Sequence, residues 1–304
     1  MPIFTDRTKD QIAWILVFFC PAFFSSNMII ARGMAGYFPP LSMAFIRWFF
    51  VGVVIISCLA LLRRFRWTVM SKEIPQILFL ASLGMGICGG PVYIAAEITT
   101  ATNIGLIYSA APLLIALISY FAFKALLNKY QSLGLFMGLF GVLVIVFKAD
   151  LGNVYSLVFN TGDLIIVATT ISFAIYSIGL KYLKSELTQI ERFGAMALGG
   201  ALWHFPFLVW EVVTYEPWPM ITWAIIGAFS ILVFIASIGA YLSYGMIVTR
   251  LGTTVAGSTL YLAPIYAAVL AVIILDEQIM FYHLIGGGFI LPGLWLISRK
   301  DKNL

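Results

Sequence analysis

Apolar runs of about 20 residues recur along this chain with only short gaps between them, and that length is what an α-helix needs to cross a bilayer. The runs stand at 11–31, 41–62, 75–97, 101–123, 130–147, 163–183, 192–213, 220–248, 254–275 and 281–298. Inside hydrocarbon every backbone N–H and C=O must be paired within the protein, so the expected fold class is all-α integral membrane, with ten transmembrane helices. Apolar residues make up 62% of the 304 and charged residues 10%, against roughly 45–50% and about 25% in soluble domains. No soluble core absorbs that much apolar surface, and the gaps leave no room for an extramembrane domain. The first run is longer than a signal-peptide core and no small-residue cleavage site follows it, so it is expected to remain as a helix.

Cys20, Cys58 and Cys88 all fall inside apolar runs, so they assemble neither a disulfide framework nor a metal site and read as small hydrophobes. The net charge of +5 does not indicate nucleic acid, because most basic residues lie in the gaps between runs, where they orient the chain. Alternate gaps are unequal. One set collects Arg7, Lys9, Arg63, Arg64, Arg66 and Lys72, then Lys124 and Lys129. Further along it collects Lys181, Lys184, Arg192, Arg250, Arg299, Lys300 and Lys302. The other set keeps Arg32, Arg47 and Lys148 beside seven carboxylates. Lysine and arginine stay preferentially on the inner side, so both termini are expected in the cytoplasm, with the chain in the plasma (cytoplasmic, inner) membrane.

Sliding the chain on itself by 152 positions lays Gly105, Pro112, Tyr130, Gly134 and Gly141 over Gly257, Pro264, Tyr282, Gly286 and Gly293, and Arg32 over Lys184. Glycine and proline are scarce enough for this order to signal an internal repeat. Each copy holds five runs, an odd number, so the second copy must enter the membrane upside down. The charges agree: Lys124 and Lys129 in the first copy correspond to Asp276 and Glu277 in the second. Inverted repeats of this kind build alternating-access carriers that hold a solute near the midplane.

The stretch YLSYGMIVTRLGTTVAGSTLYLAPIYAAVLAVIILDEQIMFYHLIGGGFILPGLWLI, residues 241–297, has a Leu-x-Pro element at Leu262–Pro264 and an acidic stop at Asp276 and Glu277. With the weaker copy, TTATNIGLIYSAAPLLIALISYF followed by GLFMGLFGVLVIV, it resembles the drug/metabolite transporter superfamily, specifically the ten-helix branch with two EamA-type repeats. The first copy departs from that pattern at Lys124, Ala125 and Leu126, where a carboxylate is usual, and at Glu97, where an uncharged residue is commoner. The resemblance implies one repeat over 1–148 and an inverted one over 160–304. It implies a basket of helices around a central cavity lined mainly by helices one, three, four, six, eight and nine, and export or uptake of metabolites such as amino acids, amines or nucleotide-like compounds.

Within the runs, Pro112 and Pro264 sit at matched mid-span positions, where a proline frees a carbonyl and bends the helix. They read as a pair of hinges, with a packing kink as the alternative. Tyr93 and Glu97 are four apart, and Tyr241 and Tyr244 three apart, so each pair shares a helix face. Phe24 and Asn27 in helix one and Tyr176 in helix six occupy resembling places in the two halves, and Tyr108 and Tyr261 precede the prolines. Facing inward, these side chains offer aromatic walls, hydroxyls, an amide and one carboxylate to an amphipathic solute bearing an amino or ammonium group. The alternative for each tyrosine is a place in the interfacial belt. Arg47 reads as half of a structural ion pair or as an arginine reaching back to the interface, His204 as a buried hydrogen-bonded histidine or a titrating group, and Glu97 as a solute, proton or structural site.

Gly84, Gly86 and Gly89 spell G-x-G-x-x-G, but inside an apolar run with no preceding strand they serve helix packing instead. Small-residue faces of this sort permit a homodimer without requiring one. No G-x-x-x-x-G-K-S/T loop is present, so the chain encodes no ATP-driven pump and calls for no cofactor. A membrane-embedded enzyme acting on lipids needs clustered histidines or carboxylates, whereas His204 and His283 fall at different depths. The reading that follows is a secondary transporter, exporter or importer, of a small organic metabolite, most of all an amino acid or amine-type compound; the alternatives are a channel or receptor and, behind them, the lipid enzyme.

Overall fold

The computed structural model describes residues 6–150, 152–155, 157–266, 269 and 280–299. Their regular structure is helical throughout: α1 (Asp6–Met34), α2 (Pro40–Leu61), α3 (Trp67–Ala81), α4 (Gly90–Ile98), α5 (Ala101–Tyr108), α6 (Ala111–Phe123) and α7 (Lys129–Val146). The short α8 (Gly152–Tyr155) leads to α9 (Thr161–Tyr182), α10 (Gln189–Thr214), α11 (Trp223–Val233), α12 (Ala240–Leu251), α13 (Thr253–Ser258) and α14 (Phe281–Ser298). Among the described residues nine stretches are long and apolar enough to span a bilayer. Three of them are composite: α3 runs into α4 through a π-helical turn at Ser82–Ile87, α5 into α6 through Ser109 and Ala110, and α11 into α12 through a second π-helical turn at Phe234–Gly239. The run expected at 254–275 begins as α13 and a 3-10 turn at Thr259–Leu262; most of its remainder, with Asp276, Glu277, Lys300 and Lys302, lies outside the described residues.

Local chemistry sets the boundaries. Asn128 and Gln131, Asn160 and Asp163, and Thr188 and Glu191 form capping boxes that satisfy the first free N–H groups of α7, α9 and α10. Ser109 and Ala110 interrupt the fourth span, so Pro112 stands in the first turn of α6, where its missing N–H removes no helical bond. Gly252 ends α12 with φ +95°, a conformation closed to side-chain-bearing residues at low cost.

The spans pack in corresponding pairs. The α7 and α14 helices pack together, and a Cβ on Gly134 would meet the Gly293 carbonyl at 2.4 Å while one on Gly141 would meet the Gly286 carbonyl at 2.5 Å. Early residues of one helix thus face late residues of the other, and the two run antiparallel with backbones in contact. The α2 and α10 helices form a second extensive pair; α1 packs on α12 and α4 on α9. One end of the bundle carries the start of α1, where Arg250 meets Asp6 at 3.0 Å; the other carries Gly36, whose N–H donates to Glu97 at 3.2 Å. We call these the amino-terminal and the opposite face.

Candidate functional site

Three layers stack between the two faces. The first lies toward the opposite face and centres on Arg47, seven residues beyond Pro40 and therefore about 10 Å into α2 at ~1.5 Å per residue. Its side chain is buried, at 1% exposure. Nε donates to Ser237 Oγ at 2.5 Å, Nη1 to Asn27 Oδ1 at 2.8 Å and Tyr93 Oη at 2.7 Å, and Nη2 to the Ala236 carbonyl at 2.9 Å. Tyr93 in turn donates to Asn27 at 2.8 Å, and the Trp48 ring lies 4.5 Å from the guanidinium. The ion pair or interfacial arginine expected from the sequence is corrected: among the described residues no carboxylate pairs with Arg47, and the side chain does not reach the surface. A buried charge is tolerable only when hydrogen bonds and ring electrons replace its water. The π turn of the α11–α12 span supplies part of that replacement, because its irregular ladder turns the Ala236 carbonyl outward for Nη2.

The middle layer is aromatic. Phe24 meets Tyr241 and Tyr244 edge-on with ring centres 5.4 and 5.9 Å apart, Tyr241 lies 6.1 Å from Tyr176 and 5.1 Å from Trp48, and Phe173 stands against both Tyr176 and Tyr244. Tyr241 donates to the Gly84 carbonyl at 3.0 Å, within the other π turn, while Tyr244 shares a 2.7 Å hydrogen bond with Ser177. Glycine at position 84 is what admits the Tyr176 ring, which a Cβ there would meet at 2.5 Å. The glycines at 84, 86 and 89 are thus packing surfaces for Tyr176, Trp203 and His204.

Below this layer a cavity of about 230 Å³ opens toward the amino-terminal face between α9, α10 and α12. Its floor is Tyr176, Tyr241 and Phe193, and its mouth carries the exposed Lys181 and Lys184. Arg192 lines the wall and is 8% exposed; one Nη donates to the Leu183 carbonyl at 3.1 Å, whereas Nε is buried with no hydrogen-bond partner among the described residues. Among the described residues no carboxylate lines the cavity. At its margin Arg66, in the α2–α3 connection, holds Glu191 at 2.6 Å, and that hydrogen bond raises the Arg66 guanidinium above its ordinary pKa.

The structure therefore brings Phe24, Tyr176, Tyr241 and Tyr244 into one cluster and Asn27, Tyr93 and Arg47 into another. Four expected site residues stand apart. Glu97 is exposed at the opposite face, where it binds the Gly36 N–H. Tyr108 is half-buried with its hydroxyl 3.4 Å from Thr169. Tyr261 is buried against Gly138, and its hydroxyl has no partner among the described residues. His204 is fully buried and fully used, since Nε2 accepts the Gly90 N–H at 2.9 Å and Nδ1 donates to the Gly200 carbonyl at 2.8 Å. Pro112 packs its backbone beside Gly257, bringing the two broken helices together near the matched prolines. Sequence reasoning missed Arg192, which it counted only as an orienting charge, and Ser237, one polar residue in an apolar stretch.

Comparison with known proteins adds to this geometry. The EamA-like transporter family profile matches twice, over residues 11–147 and 160–299. Among curated relatives, the uncharacterized transporter YetK of Bacillus subtilis is 23% identical over 97% of this chain and 89% of its own. The uncharacterized transporter YyaM of the same organism is 22% identical over 95% and 94%. A solved crystal structure superposes with a TM-score of 0.70 over 95% of this chain and 96% of its own at 19% identity, a likeness of fold.

Proposed function

The chain belongs to the EamA-like transporter family, and from that premise we propose that it is a secondary transporter carrying a small organic metabolite of the amino-acid or amine class across the cytoplasmic membrane by alternating access. The observation that carries this reading is the doubling of the architecture. The π turns at Ser82–Ile87 and Phe234–Gly239 are 152 positions apart, the offset that also superposes the paired prolines and glycines. The pairing of Gly134 with Gly293 and of Gly141 with Gly286 is what a two-fold axis between inverted copies demands, because 134 corresponds to 286 and 141 to 293. On this reading 1–148 and 160–304 are inverted five-helix halves and residues 254–275 complete the tenth span.

The cavity supports a carrier with its cytoplasmic side open. Lys181, Lys184 and Arg192 mark that side by the preference of basic residues for the cytoplasm. The Arg47 hub and the aromatic layer close the path toward the other side, and Tyr176 and Tyr241 form the wall that a solute meets first. Transport then requires the hub to part while the cavity closes, each half acting in turn as the gate.

Counterflow in proteoliposomes tests the proposal without assuming a driving ion. Vesicles are preloaded with aromatic or aliphatic amino acids, quaternary amines or nucleosides, and uptake of labelled solute is followed. Stimulation by one preloaded pool is expected. Flux that no internal pool accelerates would reject the carrier in favour of a channel, and silence from folded protein in every pool would reject transport of these classes.

A further inference from the structure

We propose that Arg192 is the oxyanion-binding residue of the inner cavity, and that the transported solute presents a carboxylate to it; this rests on the transporter reading above. Arg192 is not where an orienting charge belongs. An arginine that only marks the inner side of a helix extends its head into water, as Lys184 does, yet Arg192 is 8% exposed and belongs to the cavity wall.

Its donors are also incompletely used. A guanidinium carries five N–H groups in a planar fork. Leu183 takes one of them, and Nε is buried without a partner among the described residues. Among the described residues no ion pair neutralises it. The nearby carboxylates are engaged elsewhere: Glu191 binds Arg66 and Thr188, and Glu73 accepts from Ser185 and the Glu186 N–H. A buried fork with free hydrogens suits the two oxygens of a carboxylate, which it grips in parallel.

The rest of the cavity fits the same ligand. Lys181 and Lys184 at the mouth draw an anion inward, and among the described residues no lining carboxylate repels it. Beyond Arg192, the Tyr176, Phe193 and Tyr241 rings floor the cavity with apolar surface that accepts a side chain. The solute thus sits with its oxyanion on α10 and its apolar part toward α12. Arg47 holds a different position, because neutral acceptors already take four of its five N–H groups.

The test uses the full chain in proteoliposomes and in detergent, with a matched set of probes. Phenylalanine and 3-phenylpropionate keep the carboxylate, phenylalanine methyl ester and phenethylamine remove its charge, and phenyl phosphate replaces it. Binding is read by quenching of tryptophan fluorescence and transport by counterflow. Phenylalanine and 3-phenylpropionate are expected to bind and exchange, and the ester and amine at least tenfold more weakly. Arg192→Gln should reduce carboxylate binding at least tenfold while the protein stays monodisperse, and Arg192→Lys should recover part of it. Binding by phenyl phosphate alone would keep the oxyanion site but overturn the carboxylate assignment. Equal binding of the amine and the acid, or an Arg192→Gln variant that binds the acid as well as the parent, would overturn the proposal while leaving carrier activity standing. Acid binding lost in Arg192→Gln without any counterflow would uphold the site and reject the carrier instead; no binding by any probe to the folded parent would overturn the site.

Discussion

Arg47 and Arg192 are both buried guanidiniums, yet among the described residues four hydrogen bonds engage the first and the Nε of the second has none. That difference assigns them different work. Replacing Arg47 with Gln takes one partner each from Ser237, Asn27 and Tyr93 and leaves the Ala236 carbonyl without its side-chain donor, and an orphaned buried polar group costs about 1–3 kcal/mol. Arg47→Gln is therefore expected to lower the melting temperature in detergent markedly, and an unchanged melting curve would refute the hub. His204→Phe should act similarly through the Gly90 N–H and the Gly200 carbonyl, with transport lost only as far as folding is lost; a pH-dependent transport defect in a stable variant would instead mark His204 as titrating. Phe24 and Tyr176 were legible from sequence because they hold corresponding places in the two halves, and Tyr241 because it shares a helix face with Tyr244. The partners of Arg47 were not, since they are neutral and come from three distant spans, and charge pattern alone carries no record of them. Arg192 was hidden for the opposite reason, as its charge obeys the inside rule so well that topology accounts for it.

At the scale of elements, the two π turns separate what the sequence conveys from what it conceals. Their residues, SLGMGI and FIASIG, share no composition that announces a wide turn, although the 152-residue offset relates them. Each turn presents a carbonyl to the neighbouring half: Gly84 to Tyr241 and Ala236 to Arg47. A π turn holds one residue more than the α turn it replaces, so deleting one residue from Ser82–Ile87 would rewind it toward α and draw the Gly84 carbonyl back into the helical ladder. Tyr241 would then lose its acceptor, and counterflow is expected to fall even if the chain inserts; full transport after the deletion would show that the irregular turn is dispensable. The α7–α14 contact depends on size. Gly141→Leu places a side chain where the Gly286 carbonyl already stands, so a large loss of thermal stability is expected, whereas Gly227→Leu, with open space around it, should change little.

The bundle as a whole is doubled in shape but not in chemistry. The position corresponding to Arg47 in the second half is Gly199, which packs on Ala81. Among the described residues nine spans, and along the chain the two copies that the family profile matches, were legible from hydropathy and glycine spacing, because the bilayer leaves so few backbone solutions. Where the hub forms was not legible, since its arginine has no counterpart in the second half. Its parting is tested by a disulfide between Phe38→Cys and Phe229→Cys, whose parent rings lie 5.2 Å apart at the opposite face. With the three native cysteines replaced, oxidation should stop counterflow and reduction restore it; full activity of the cross-linked form would reject opening between these elements.

The α10 helix bears a buried carboxylate near each end. Glu191 grips Arg66 and its backbone N–H, and Glu211 takes the Leu41 and Ser42 N–H groups at 3.0 and 2.6 Å. The carboxylates are 20 residues apart along the helix, about 30 Å at ~1.5 Å per residue, which is one hydrocarbon thickness. With α2 fastened to it at both ends, α10 becomes a strut of fixed length that resists adapting to its surroundings by sliding. A bilayer several Å thicker or thinner than about 30 Å must then deform around it, so turnover should peak in lipids matched to the strut and fall on either side.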